Sequence, residues 1–394
     1  MAKSICFLGL GKSNQAAISY FNAHSDLATG LDVYDDTHLV DKNFDIALAS
    51  PGIAPHTRLY ASALERCGEV IGDVELAWRL SPKHWLAITG TNGKTTTTTL
   101  TAHLINAAAG QPGRDGQAIA GAHLAGNIGV PVFDVIGSRS QNDWIVCETS
   151  SYELYSTKAF RPDAAALLNI TPDHISWHRS FEAYATAKRR IFAQQPALRV
   201  DLSATAAQQL PSADLIRSAT LQIKGPHNFD NAVCAAELAH FVGLTDQQIL
   251  SGLAAFAPLE HRFEPVATCA GVEYINDSKA TNPEATVMAL RAFKEPKVVL
   301  LAGGRDKNTT LATLCEVAEK VCKSVICYGE AGTRLHEQLP HSVQVATFFE
   351  AFTLARQTAT AGDTVLLSPA CASFDEFSSF EMRGETFKQL VRGL

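Results

Sequence analysis

A chain of 394 residues has room for two to three domains at about 150 residues each, and a composition of 46% hydrophobic and 19% charged residues excludes a disordered or low-complexity protein. The formal net charge of −7 excludes the basic footprint of a nucleic-acid or anionic-membrane binder, so any anionic ligand must be met by local lysines and arginines. Nine cysteines without C-x-x-C or zinc-like spacing read as reduced, buried thiols of a cytoplasmic protein, and neither a secretory leader nor a membrane span is expected.

Ser4 to Leu8 reads as a strand entering Gly9-Leu10-Gly11-Lys12, and Ala16, Ala17, Ile18, Tyr20 and Phe21 supply the apolar face of a following helix. A second strand, Leu31 to Tyr34, ends in Asp35-Asp36, where nucleotide-binding α/β folds place an acidic reader of ribose or base. The glycine fingerprint is incomplete, with Asn14 at its third position, so a tight turn without a ligand explains it equally well. Strand Ile46 to Ala49 stops at Ser50-Pro51-Gly52, another loop at a carboxyl edge, and Ser81-Pro82 reads as a domain boundary.

The next stretch is Leu86-Ala87-Ile88-Thr89-Gly90-Thr91-Asn92-Gly93-Lys94-Thr95-Thr96, a strand, a glycine turn and a helix start. In this order backbone N–H groups converge on an anion, Lys94 reaches outer phosphates and the Thr95 hydroxyl can hold Mg²⁺, so a nucleoside triphosphate is the expected ligand. The general pattern wants a glycine where this chain has Ile88, which makes the loop a variant. Further on, Gly126-Asn127-Ile128-Gly129 holds one amide between glycines, and the strand Trp144 to Cys147 ends in Glu148, placed to grip Mg²⁺ or to cap the following turn. His174, after the strand Ala164 to Leu168, reads equally as a cation ligand or a loop cap. Lys188 shares a helix face with Phe181, Tyr184, Ile191 and Phe192, where snorkelling is the commoner behaviour of a lysine. Asn228 and Asn231 open a later helix.

From Pro258 onward the pattern alternates strand and helix again. Strand ends carry Asn276-Asp277-Ser278-Lys279-Ala280-Thr281-Asn282, then Gly303-Gly304-Arg305-Asp306-Lys307, then Ser368-Pro369-Ala370-Cys371-Ala372-Ser373-Phe374. In a parallel sheet such ends share one edge, and Lys279, Lys307 and Ser373 there together read as a site for a small carboxylate.

These motifs, with Gly225-Pro226-His227-Asn228 and His261-Arg262-Phe263-Glu264, resemble the Mur ligases, in register from Gly9 to the C-terminus. The resemblance implies an α/β protein of three domains: a Rossmann-like UDP-substrate domain over 1–82, a central P-loop ATPase-type domain over 83–258, and a Rossmann-like amino-acid-binding domain over 259–394. It implies a cytoplasmic, monomeric, ATP-dependent ligase of peptidoglycan synthesis that adds D-glutamate to UDP-N-acetylmuramoyl-L-alanine through an acyl phosphate. Carried over by motif, Gly90, Thr91, Asn92, Gly93, Lys94, Thr95, Thr96, Asn228, Asn231, Arg262 and Asp277 are expected at ATP. Two Mg²⁺ ions would be met by Thr95, Glu148 and His174, with Lys188 carrying a CO₂-derived carbamate that makes it a further ligand. Gly9, Leu10, Gly11, Lys12, Asp35, Ser50, Pro51, Gly52 and Asn127 are expected along the UDP substrate, and Lys279, Thr281, Lys307, Ser373, Phe374 and Phe380 around D-glutamate. Glu153 stands where the corresponding motif has glutamine, Ser176 and Trp177 replace an Asp-Arg pair, and the stretch from Lys188 to Gly225 is short for the family. A folylpolyglutamate-type ligase, a Mur ligase for another amino acid and a non-catalytic protein of this fold are the competing readings.

Overall fold

The computed structural model describes residues 2–223, 225–306 and 309–394. It contains three sheets in two compact units, Met1–Thr220 with Asp230–Ala254, and Leu221–Phe229 with Ala255–Leu394.

The first unit holds two sheets. One is built from β1 (Lys3–Leu8), β2 (Ala28–Tyr34), β3 (Phe44–Ala49) and β4 (Cys67–Ile71) in the order β2-β1-β3-β4, all parallel. Ile5, Cys6, Phe7 and Leu8 are consecutive and buried, the unbroken apolar run that a parallel strand covered on both faces requires. The other sheet takes β5 (Trp85–Thr89), β6 (Ala122–Gly126), β7 (Trp144–Glu148), β8 (Ala164–Leu167) and β9 (Leu198–Asp201) in the order β6-β7-β5-β8-β9, again all parallel. One core joins the two sheets: Phe7 and Leu48 belong to the same buried cluster as Trp85, Ala87, Ile145 and Phe160. Each such fully buried large side chain contributes about 1.5–3 kcal/mol relative to exposure.

The order of the second sheet positions the phosphate loop. β5 is central, flanked by β7 and β8, so the carboxyl ends of all three lie side by side, with Ile88 paired to Glu148 and Thr89 to Leu167. Ligands of open α/β sheets bind at such an edge.

The second unit holds β10 (Glu264–Cys269), β11 (Val272–Asn276), β12 (Val298–Gly303), β13 (Cys322–Tyr328), β14 (Ser342–Gln344) and β15 (Thr364–Ala370) in the order β10-β11-β15-β12-β13-β14, with only β10 antiparallel to its neighbour. β11, β15 and β12 are adjacent, which sets the three loops singled out in the sequence next to one another. Among the described residues no helix is long and apolar enough to cross a membrane.

Candidate active site

The phosphate loop begins where β5 ends. Ile88 lies inside that strand and is fully buried, so the position where the general pattern wants glycine makes no turn in this chain. The turn comes later, at Gly93, which has φ +85° and precedes the helix Lys94–Ala108. A Cβ on Gly93 would stand 2.5 Å from Asn231 Oδ1, so glycine is required both for conformation and for space. Asn231 Oδ1 also accepts from Thr97 Oγ1 at 3.2 Å, and the Thr101 hydroxyl donates to the Thr97 carbonyl at 2.7 Å, while the buried Thr98 hydroxyl has no partner among the described residues.

The loop is tied to the segment after β8. Asn169 accepts from the Asn92 N–H at 2.9 Å and donates back to the Asn92 carbonyl at 3.0 Å, while the Thr91 hydroxyl meets the Tyr184 hydroxyl at 2.9 Å. Two lysines converge on the loop: Lys94 Nζ donates to the carbonyls of Gly90 (2.9 Å) and Thr91 (2.8 Å), and Lys188 Nζ donates to Gly90 at 2.8 Å. Lys188 is 2% exposed, so it does not snorkel. Burial, and then the neighbouring Lys94 ammonium, push its pKa well below the ordinary lysine value.

Glu148 closes the other side of the loop. Its Oε1 accepts from Asn127 Nδ2 at 2.6 Å, and the Asn127 N–H donates to the Glu148 carbonyl at 2.9 Å. The Gly126-to-Gly129 turn makes this approach possible, since a Cβ on Gly126 would stand 2.3 Å from that same carbonyl. Glu148 Oε2 is buried with no hydrogen-bond partner among the described residues. A buried carboxyl oxygen left without a donor is costly, and a bound cation is one way to satisfy it. His174 follows β8 by a short loop and has a left-handed conformation (φ 54°), with Nε2 3.5 Å from Asp173 Oδ2 and its ring 4.9 Å from that of Tyr152. Trp177 packs against Tyr152 and His178, at 4.7 and 4.4 Å between ring centroids. His178 is buried against the Ser151 hydroxyl at 2.9 Å, and burial pushes its pKa down to about 4, so the ring is neutral.

Glu153 forms a capping box with Ser150, accepting from the Ser150 N–H (2.6 Å) and hydroxyl (2.7 Å). Burial and then Asp73 push the Glu153 carboxyl up to about 8, and burial pushes Asp73 to about 6. A carboxyl raised in the folded state stabilises fully below its unfolded pKa, and that stability is lost as pH rises through the folded value. Glu153→Gln keeps an acceptor for Ser150 and removes the titration. We expect it to be neutral near pH 5 and to raise stability by ~2 kcal/mol near pH 9. Thermal unfolding across that range checks this, and an unchanged pH slope would contradict it.

In the first sheet, Gly9 has φ +76°, and a Cβ on Gly11 would stand 2.4 Å from Ser50 Oγ, so the Gly9-to-Lys12 turn and the Ser50-to-Gly52 loop touch. Asn14 is fully buried and bonds the carbonyls of Leu8, Gly9 and Leu48, pinning both strand ends. Asp35 is exposed; the Thr37 hydroxyl and the N–H groups of Thr37 and His38 donate to it and hold its carboxyl below the usual range.

In the second unit, Asp277 accepts from the Ser368 hydroxyl (2.8 Å) and the Phe263 N–H (3.1 Å), and burial pushes it up to about 7. Lys279 Nζ lies 3.7 Å from the centroid of the Phe380 ring, a cation–π contact. The Thr281 N–H donates to the Lys279 carbonyl at 2.8 Å, Ser373 is buried, and Phe374 is 62% exposed. Lys307 lies outside the described residues. Asn228 is buried and its N–H donates to Gly225. Glu260, His261 and Glu385 are the one group of three possible metal ligands within 4.8 Å among the described residues, but Lys388 Nζ reaches both carboxylates, at 3.0 and 2.5 Å. The cluster is an ion-pair network.

The Mur ligase middle domain family matches residues 88–202, and the Mur ligase glutamate ligase domain family matches residues 261–371. The UDP-N-acetylmuramoylalanine–D-glutamate ligase of Caldanaerobacter subterraneus is 35% identical over 90% of this chain and 85% of its own. The chain belongs to the Mur ligase family. The ligase of the same name from Koribacter versatilis is 32% identical over 99% of this Mur ligase and 97% of its own length. Among solved structures the fold is shared with MurF from Acinetobacter baumannii (TM-score 0.60, 16% identity, 97% and 99% coverage) and MurC from Thermotoga maritima (TM-score 0.58, 15% identity, 99% of both chains).

Two residues of this Mur ligase have a structural role that the motifs do not assign: Arg383, which lies in none of them, and Asn276, which opens one. Arg383 is fully buried, with no carboxylate partner among the described residues: Nε donates to Ser278 Oγ, Nη2 to the carbonyls of Ser278 and Cys371, and Nη1 to those of Gly303 and Ala372. One guanidinium thereby ties together the loops that follow β11, β12 and β15. Its sequence signal was its phase, since Arg383 shares the four-residue spacing of buried Phe387 and Val391. Asn276, also fully buried, donates to Glu264 at 3.0 Å and meets His261 Nδ1 at 2.9 Å, joining the His261-to-Glu264 motif to β11.

Proposed function

We propose that this Mur ligase joins D-glutamate to UDP-N-acetylmuramoyl-L-alanine at the expense of ATP, in the cytoplasm and as a monomer. The γ-phosphoryl group passes to the terminal carboxylate of the substrate and ADP leaves. The D-glutamate amine then attacks the acyl carbon, and the tetrahedral adduct expels phosphate as the amide forms.

The observation that carries the ATP reading is the convergence of Lys94 and Lys188 on the Gly90 carbonyl, beside a Glu148 oxygen that no donor among the described residues satisfies. Phosphoryl transfer between two anions needs cations to cancel repulsion and hold an in-line geometry. Lys94 and the N–H groups at the start of its helix supply positive charge to the phosphates. Thr95, Glu148, His174 and a carbamate on Lys188 would hold two Mg²⁺ ions, and the buried Glu148 oxygen fits that demand. When bound, Mg²⁺ neutralises charge on the phosphates. Asn127 orients the Glu148 carboxyl, and the depressed pKa of Lys188 favours the neutral amine that takes up CO₂.

In this reading segment 1–82 takes the UDP part through the Gly9-to-Lys12 turn, Asp35 and Ser50-to-Gly52. Segment 83–258 takes ATP, with Asn228 and Asn231. Segment 259–394 takes D-glutamate through Lys279, Thr281, Lys307, Ser373, Phe374 and Phe380, and Arg262 and Asp277 are assigned to ATP. The names of the curated relatives support D-glutamate as the amino acid.

Phosphate release is expected only when ATP, Mg²⁺, UDP-N-acetylmuramoyl-L-alanine and D-glutamate are all present. The same assay with L-glutamate, L-lysine or diaminopimelate tests the amino acid. Turnover with one of these and none with D-glutamate would overturn the assignment.

A further inference from the structure

The first unit contains a cleft of about 580 Å³ that includes none of the phosphate loop, Glu148, His174 or Lys188. Its floor is β4 over Cys67 to Val70, the end strand of its sheet. One wall is Tyr60 and Leu64 of the helix Arg58–Arg66; the other is Tyr155 to Lys158, Phe160 and Arg190. Leu64 is 62% exposed at the rim.

The chemistry of the lining is specific. Tyr60 and Phe160 are buried behind the lining, and the half-buried Tyr155 and exposed Leu64 offer the apolar surface, which suits a small ring. Two cations stand beside it. Arg190 donates to the Tyr155 carbonyl and packs its guanidinium 5.3 Å from the Tyr155 ring, which fixes it in place. Lys158 lies 3.4 Å from Glu69, the one carboxylate in the lining, but Arg79 already holds that carboxylate at 2.5 and 3.2 Å. The rim is therefore cationic in a chain of net charge −7. The volume is that of a small-molecule site, for which the usual range is about 300–1,000 Å³.

We propose that this cleft is a second ligand site, taking a planar aromatic or heteroaromatic anion, with its ring against Tyr155 and Leu64 and its negative group at Lys158 and Arg190. The site is independent of the ligase reading. It is also joined to the other site: Arg190 directly follows the helix Phe181–Arg189 that carries Lys188, and Tyr155 ends the helix Ser151–Tyr155 that begins just after Glu148. A ligand that favours one arrangement of these two elements shifts their population.

Cys67 supplies a local reporter, since this half-buried residue lines the cleft, its Sγ 3.8 Å from that of buried Cys6. The full chain is treated with N-ethylmaleimide, with and without 8-anilinonaphthalene-1-sulfonate, and labelling of each cysteine is followed by mass spectrometry. At ten times its dissociation constant the probe should slow Cys67 labelling by about ten-fold, and leave the other partly exposed thiols, Cys269 and Cys315, unchanged. Lys158→Glu and Leu64→Glu, both at exposed positions, should each weaken the protection by about ten-fold or more, or ~1.4 kcal/mol. Fluorescence of the bound probe reads the same affinities without the thiol. No saturable probe binding, equal protection of all three cysteines, or affinity unchanged in both variants would overturn the proposal.

Discussion

Lys188→Ala should lower the turnover number by about two to three orders of magnitude. Phosphate release in the four-component assay measures it, and short carboxylic acids such as acetate should restore part of the activity by filling the space where the carbamate is proposed. The reason is positional. Lys188 is 2% exposed and reaches the Gly90 carbonyl of the loop at 2.8 Å, so its truncation opens a hole beside that loop. Lys188→Met separates chemistry from stability. The native pKa lies well below the ordinary lysine value, so the unfolded chain binds the extra proton and stability falls as pH drops below about 10.5. The methionine variant should be as inactive as the alanine one, while its stability stays level over that range. Full activity of Lys188→Ala would make this a structural lysine.

Arg383→Ala should destabilise the second unit by about 3–5 kcal/mol, read as a drop in the denaturant midpoint of its unfolding. The side chain is fully buried, and its removal leaves the carbonyls of Ser278, Gly303, Cys371 and Ala372 facing a cavity without their donor. Arg383→Lys should recover little, because one ammonium cannot span loops that a planar five-donor fork reaches together. These loops carry Lys279, Ser373 and Phe374, the proposed D-glutamate contacts, so on that proposal D-glutamate binding should weaken in both variants even below the unfolding midpoint. A lysine variant as stable as the parent would show that charge alone suffices.

Much of the architecture was legible in the chain because it is local. The strand, glycine turn and helix around Gly90 to Lys94 are dictated by residues within a dozen positions, as is the strand end at Asn276, whereas β15 runs three residues beyond Leu367, where the sequence reading ends it. The strands that motif reading passed over are β4, β6, β9, β10 and β14, each at a sheet edge, where burial on one side only leaves a weak apolar pattern. Lys188 shows the limit most directly: its spacing matched a snorkelling lysine, and only the approach of the phosphate loop turns it inward.

The succession of βα units, the glycine turn before Lys94 and the polar residues at strand ends each follow from neighbours in the chain. The tertiary structure alone decided which ends meet. Placing β5 between β7 and β8 brings Glu148 beside Ile88 and Asn169 beside Asn92, and placing β15 between β11 and β12 lets one arginine bind three loops. Strand order is set by packing between segments far apart in the chain, with Trp85, Ile145 and Phe160 in one core, and no local pattern encodes it.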